Sequence, residues 1–242
     1  MKTMNTKRHL SITAILVLLW PIHVFADILL TPDSISYVTI PNQAQTGLNL
    51  DDENNIINGN GLSGTPDINN WQTITHAAVN FSAPGNAWAT IDPGPAGGYF
   101  FDEGGVAPVF EMAITSDPAS PYINSIIFWG YHFGGTNGNS VSRISLEFSS
   151  DNGATIFDSR NDISIPLTAE QAVRAMFAPV LGDTNFIRMT VTDNHFGNAA
   201  GGDRVGIAEL RFTAIPEPTS AVALLPILMA LISNRRRTTS RN

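Results

Sequence analysis

The sequence predicts an all-β body built as a two-sheet sandwich. Three observations lead there. Apolar and polar residues alternate with period two at Ile144, Leu146 and Phe148, and again at Ile187, Met189 and Val191, as half-buried strands require. The 242 residues include 20 Gly and 15 Pro, so turn signals recur between such segments. No long amphipathic helix and no internal repeat is present.

Taken in chain order, strands are expected at 34–40, 72–81, 88–91, 109–115, 123–130, 143–149, 187–192 and 205–212. Ile126, Ile127, Phe128 and Trp129 are apolar on both faces, which marks a central strand. Segment 169–176 reads equally as a short helix or a strand. The long connections are 43–70, 93–107 and 134–140. Ser149, Asp151, Gly153 and Thr155 follow the S-x-D-x-G-x-T spacing and resemble an Asp-box hairpin, with Ile156 where a Trp is usual. Asp151 can accept backbone N–H groups across that turn, so the motif reads as structural.

Charge is unevenly distributed. The formal net charge is −8, yet segment 27–215 holds six Arg, no Lys and 20 Asp or Glu, for a net −14. So acidic a body repels phosphate backbones, which argues against nucleic acid as a partner. The absence of Cys excludes a thiol nucleophile, a disulfide scaffold and a Cys-ligated metal.

The two ends read as address labels. Lys7 and Arg8 precede an apolar run at 10–25, broken by Pro21, and Val24-Phe25-Ala26 supplies the small residues that signal peptidase reads. Residues 1–26 are therefore expected to be a signal peptide, 27–214 a β-sandwich domain and 215–242 a separate segment. In that last segment Pro216-Glu217-Pro218 is followed by an apolar stretch at 221–232 and then by Arg235, Arg236 and Arg237. An apolar helix followed by basic residues is a stop-transfer arrangement, although 12 residues are short against the roughly 20 that a bilayer needs. The three features in this order resemble the PEP-CTERM sorting signal of Gram-negative bacteria. That resemblance implies a short C-terminal transmembrane helix, processing by an exosortase near Pro216–Pro218, and delivery from the inner membrane to the cell surface or an exopolysaccharide matrix.

The body resembles a galactose-binding-like, discoidin-type jelly roll. The resemblance rests on the loop Asn54 to Gly64, the segment Ile123 to Tyr131, the hairpin at 146–157, the strand from Phe186 to Asn194 and the closing run Gly202 to Phe212. It implies a binding module, commonly for carbohydrate, and often a structural calcium held between a loop after the first strand and a Glu on the last. Glu209 is the matching position. Hard cations take six to eight oxygen ligands, and Asp51, Asp52, Glu53, Asn54, Asn58 and Asn60 supply oxygens densely in one loop. Ala208, Leu210 and Phe212 read as one apolar face of the closing strand, with Glu209 and Arg211 on the other; Arg211 or Arg143 is then an alternative partner for Glu209.

A sugar site needs an aromatic platform and planar polar groups that fork onto vicinal hydroxyls. Trp129, Tyr131, His132, Phe133, Asn194, His195, Phe196 and Arg204 are the best-placed residues of these types, and the loop that holds Asn194, His195 and Arg204 joins the last two strands. Structural roles compete: a core position for Trp129, a turn cap for His195, and an ion pair of Asp203 with Arg204. No G-x-S-x-G, H-E-x-x-H, P-loop or helix-opening G-x-G-x-x-G occurs. His76, His132 and His195, the only His of the body, are far apart in sequence. The expectation is an exported, surface-sorted, non-catalytic carbohydrate-binding protein. The alternatives are a structural matrix protein without a specific ligand and, behind it, a glycoside hydrolase.

Overall fold

A computed structural model describes residues 27–39, 52–80, 85–90, 100–101, 106–115, 122–197, 199 and 201–215. The expected signal peptide, the sorting segment with its helix, and Asp51 lie outside the described residues.

Ten strands form two antiparallel sheets, the sandwich the sequence leads one to expect. The first sheet runs β1 (Ile28–Leu30), β10 (Gly206–Ile215), β5 (Tyr122–Gly130), β8 (Ala172–Met176), with β3 (Trp88–Ala89) also paired to β10. The second runs β2 (Ser34–Thr39), β4 (Val109–Ala113), β9 (Phe186–Asn194), β6 (Val141–Ser149), β7 (Asp158–Ser164). A 3-10 turn, Glu53–Ile56, precedes β3.

The alternating residues of β6 and β9 point Ile144, Leu146, Phe148, Ile187, Met189 and Val191 inward, where they meet Ile126, Phe128, Leu210 and Phe212 of the first sheet. Each such side chain, once fully buried, contributes about 1.5–3 kcal/mol. Trp88 packs edge-on against Phe110 at 4.8 Å, and its indole N–H donates to the Tyr37 hydroxyl. The opposite face of the second sheet is polar: Arg188 reaches Glu111 at 2.7 Å and Glu147 at 3.1 Å across three strands. Half-exposed, such pairs add at most about 1 kcal/mol each.

The first sheet is covered on its outer face as well. Ile127, Trp129, Tyr131 and Ala208 pack there beneath Leu62, Ile68, Trp71, Ile74 and Val79 of the loop 57–80. That is why β5 and β10 are buried on both sides, as the central-strand reading of 126–129 requires.

Several elements differ from expectation. Segment 72–81 is not a strand: its described residues make only the isolated bridges Leu62 to His76 and Thr75 to Gln171. Trp71, Ile74 and Val79 are spaced by three and five, so only a looping backbone can turn all three onto the sheet. Segment 169–176 resolves as strand β8, because pairing with β5 outweighs the helix preference of its Ala and Glu. Strands β1 and β7 had no clear sequence signal. On β10, a bulge between Ile207 and Glu209 sends Ala208 to the outer cluster, while Leu210 and Phe212 stay inside. The bulged edge strand β7 carries Asp162 at φ +61°, paired to Arg143 at 2.8 Å.

Candidate functional site

Strand register fixes where the loops meet. Tyr122 pairs with Ile215 at one end of the first sheet, and Gly130 with Ile207 at the other. The connections 131–140 and 195–205 leave β5 and enter β10 at that second end, so they lie side by side there. Gly206 N–H donates to Asn139 C=O at 2.8 Å, and His195 and Phe196 N–H donate to Ser140 and Gly138 C=O at 3.1 and 2.9 Å.

Of the expected binding residues, Tyr131, Phe133 and Arg204 come together here. Tyr131 is fully buried, and its hydroxyl has no hydrogen-bond partner among the described residues. Burial pushes its phenol up, against the Arg204 guanidinium beside it. It therefore stays a neutral donor and acceptor at physiological pH. Arg204 Nε donates to Asp203 Oδ1 at 3.4 Å, and Asn139 Nδ2 donates to the same oxygen at 3.3 Å. Asn139 Oδ1 is itself buried and unpartnered. Phe133, 48% exposed, stands edge-on to Tyr131 at 5.2 Å. The cluster thus sets an ion pair and an exposed aromatic face beside a buried hydroxyl and a buried amide oxygen. Asn139 was missed in the sequence, since Asn137 to Ser140 reads only as turn chemistry.

The other expected residues serve the scaffold. Trp129 is fully buried in the outer cluster, with its indole N–H on Ile74 C=O at 2.9 Å. His132 is also fully buried: its Nδ1 accepts from Gly134 N–H at 3.2 Å and its Nε2 lies 3.1 Å from His76 C=O, which places the ring proton on Nε2. Asn194 staples the 195–205 loop, donating to Arg204 C=O at 2.8 Å and accepting from Gly197 N–H at 3.0 Å. His195 is half-buried, and burial lowers its pKa against the pull of Asp193. Phe196 holds the two loops together, against Gly138 and Gly202.

The calcium set assembles differently. The 52–61 turn does meet Glu209 on the last strand, through a hydrogen bond from Gly59 N–H at 2.9 Å. Glu209 is fully buried, and its second oxygen is held by Arg211. Burial pushes its carboxyl up, while Arg211 and Gly59 N–H pull it back. Asp52 caps the 3-10 turn, accepting from Asn54 N–H at 2.9 Å; Asn58 accepts from Asn60 N–H at 2.8 Å; Asn60 donates to Gly85 C=O at 3.3 Å. Among the described residues no three His, Asp or Glu are grouped as a metal site, and the Arg211 guanidinium lies against Glu209.

The Asp-box residues form the turn that their spacing suggests. Ser149 Oγ donates to Asp151 Oδ1 at 2.6 Å and accepts from Gly153 N–H at 3.0 Å, and Asp151 Oδ1 accepts from Thr155 N–H at 2.8 Å. The Ser149 hydrogen bond, foremost, holds the Asp151 carboxyl below its usual range.

No family model matches the chain, and no curated protein matches it in sequence. Solved structures similar to it include CpGH89CBM32-5 from Clostridium perfringens in complex with GalNAc-β-1,3-galactose, at 15% identity and TM-score 0.35, covering 52% of this chain and 73% of that one. CBM32-3 from a family 31 glycoside hydrolase of the same organism is 12% identical, with TM-score 0.37 and coverage of 76% and 90%. The F5/8 type C domain of a Bacteroides fragilis protein is 10% identical, with TM-score 0.38 and coverage of 77% and 97%.

Proposed function

We propose that the body is a non-catalytic carbohydrate-binding module of the galactose-binding-like type, carried on an exported chain that is sorted to the cell surface or extracellular matrix. One observation carries the binding role. The Tyr131 hydroxyl and Asn139 Oδ1 are buried without partners, beside the ion pair of Asp203 and Arg204. Buried polar groups are almost always satisfied, so an unfilled pair at a loop end calls for a ligand with hydroxyls to offer. A sugar supplies vicinal O–H groups for Asn139 and Asp203, accepts from Arg204, and lays its C–H face on Phe133.

Export and sorting rest on the sequence of the two ends: signal peptidase acts after Ala26, and an exosortase acts at Pro216-Glu217-Pro218, with the apolar segment in the membrane during transit. The register supports a matching orientation. Ile215 lies at the end of the sheet opposite the cluster, about eight residues or roughly 26 Å away along β10. A chain held through its C-terminal segment presents the sugar site outward.

The test is titration of the full-length chain with a panel of mono- and disaccharides, followed by nuclear magnetic resonance or calorimetry. Saturable binding that Arg204→Ala abolishes is the expected result. No binding of any sugar at millimolar concentration overturns the reading.

A further inference from the structure

We infer that the Arg211 guanidinium is the resident cation at the junction of the last strand and the 52–61 turn, so that this junction closes without a divalent ion. Glu209 is fully excluded from solvent, and a carboxylate in such a place needs a counter-charge or a proton. Arg211, two residues on and so on the same face of β10, supplies the charge: its Nη1 donates to Glu209 Oε1. The same nitrogen donates to Leu210 C=O at 2.6 Å, and Gly59 N–H completes the carboxylate on Oε2. The guanidinium also lies under the turn, since a Cβ on Gly59 would be 3.9 Å from Arg211 Nη2. Both carboxylate oxygens are therefore occupied, by one cation and one backbone donor.

A divalent ion at Glu209 would have to displace Arg211 or share one buried carboxylate with it, and two cations there repel strongly in a medium of low dielectric. The side chains that could add oxygens are turned to local tasks: Asp52 to its cap, Asn58 to the Asn60 N–H. The inference stands independently of whether the loop cluster binds sugar.

The experiment is thermal melting of the full-length chain in EDTA and in millimolar CaCl2. The wild-type midpoint is expected to be the same in both. A site filled at one hundred times its Kd would raise it by roughly 5–10 °C, and such a rise overturns the inference. Arg211→Met is expected to melt several degrees lower, and Glu209→Gln combined with Arg211→Met to recover part of that loss, because the stranded carboxylate is gone. An Arg211→Met chain that melts with the wild type also overturns it. Should Arg211→Met not fold, Arg211→Lys takes its place: it keeps the charge, so it must fold and ignore CaCl2, and failure on either count refutes the role.

Discussion

The ring of Tyr131 rests on the backbone of Gly206: a Cβ at that position would stand 2.5 Å from the ring. The glycine at the start of β10 is thus what lets the phenol reach the ion pair of Asp203 and Arg204. Gly206→Ala is expected to displace the ring, to lower stability by about 1–3 kcal/mol through overpacking, and to weaken sugar binding in the same variant. Denaturant melts and a sugar titration read the two effects. Wild-type affinity in the folded variant would show that Tyr131 is not part of the site.

Phe133 separates binding from folding. It is exposed, so Phe133→Ala is expected to change stability by no more than about 0.5 kcal/mol. If a sugar face lies on it, the same change should weaken binding about tenfold or more, as the loss of an aromatic anchor does. Equal affinities for the two proteins would remove Phe133 from the site and leave only the polar cluster.

The Asp-box turn should behave in the opposite way. Ser149 is fully buried and accepts from both Asp151 and Gly153 N–H, so Ser149→Ala strands two donors and is expected to cost about 1–3 kcal/mol. Ser149 pairs with Phe186 at the start of β9, while the site loops follow the end of that strand at Asn194. Sugar affinity should therefore be untouched. Loss of binding in a Ser149→Ala chain that still folds would relocate the site to the hairpin.

How much of this was legible in the sequence depends on the physical signal each part leaves. β6 and β9 announce themselves because Ile144, Leu146 and Phe148 must alternate with polar residues to face one core. β7 does not, because an edge strand reading Asp-Ser-Arg-Asn-Asp-Ile-Ser holds a single apolar residue and uses its charges to keep the edge unattractive to other strands. β1 is three residues long and follows closely on another apolar run, at 10–25. In the candidate site, residue type singled out Tyr131 and Arg204, which the fold brings together. It also drew in Trp129 and His132, because an aromatic or polar ring looks the same in sequence whether a covering loop buries it or solvent reaches it. The cover over Trp129 comes from Ile74, 55 residues away, a relation that no local pattern carries.

His76 supplies one part of the pH dependence. It is buried, with Nδ1 2.7 Å from Ala77 C=O and Nε2 3.0 Å from Asn60 C=O, and burial lowers its pKa below the ordinary 6.5. The folded state then binds fewer protons than the unfolded chain between the lowered value and 6.5. The stability this group contributes is complete above 6.5 and is lost as pH falls through that window. His76 therefore lowers the melting midpoint as pH falls below 6.5, with His195 adding to this and Glu209, whose carboxyl burial pushes up, opposing it, so the His76 share is read as the difference between wild type and His76→Gln. His76→Gln should remove that share; a slope identical to that of the wild type would assign it elsewhere.

The sorting proposal can be tested apart from the fold. β10 makes its last pairing at Ile215 with Tyr122, and the sorting residues begin at Pro216. A chain ended after Ile215 keeps every described strand, so its melting midpoint and sugar affinity are expected to match those of the longer protein. Its destination should differ: released into the medium where the full-length chain is retained at the surface. Replacing only Pro216, Glu217 and Pro218 by Ala should block processing while leaving the apolar segment and Arg235, Arg236 and Arg237 in place, so the chain should accumulate unprocessed in the inner membrane. Mass spectrometry of the surface fraction reads the outcome directly. A surface form that still carries residues 221–242 would mean the tail is a plain anchor and no exosortase acts on it.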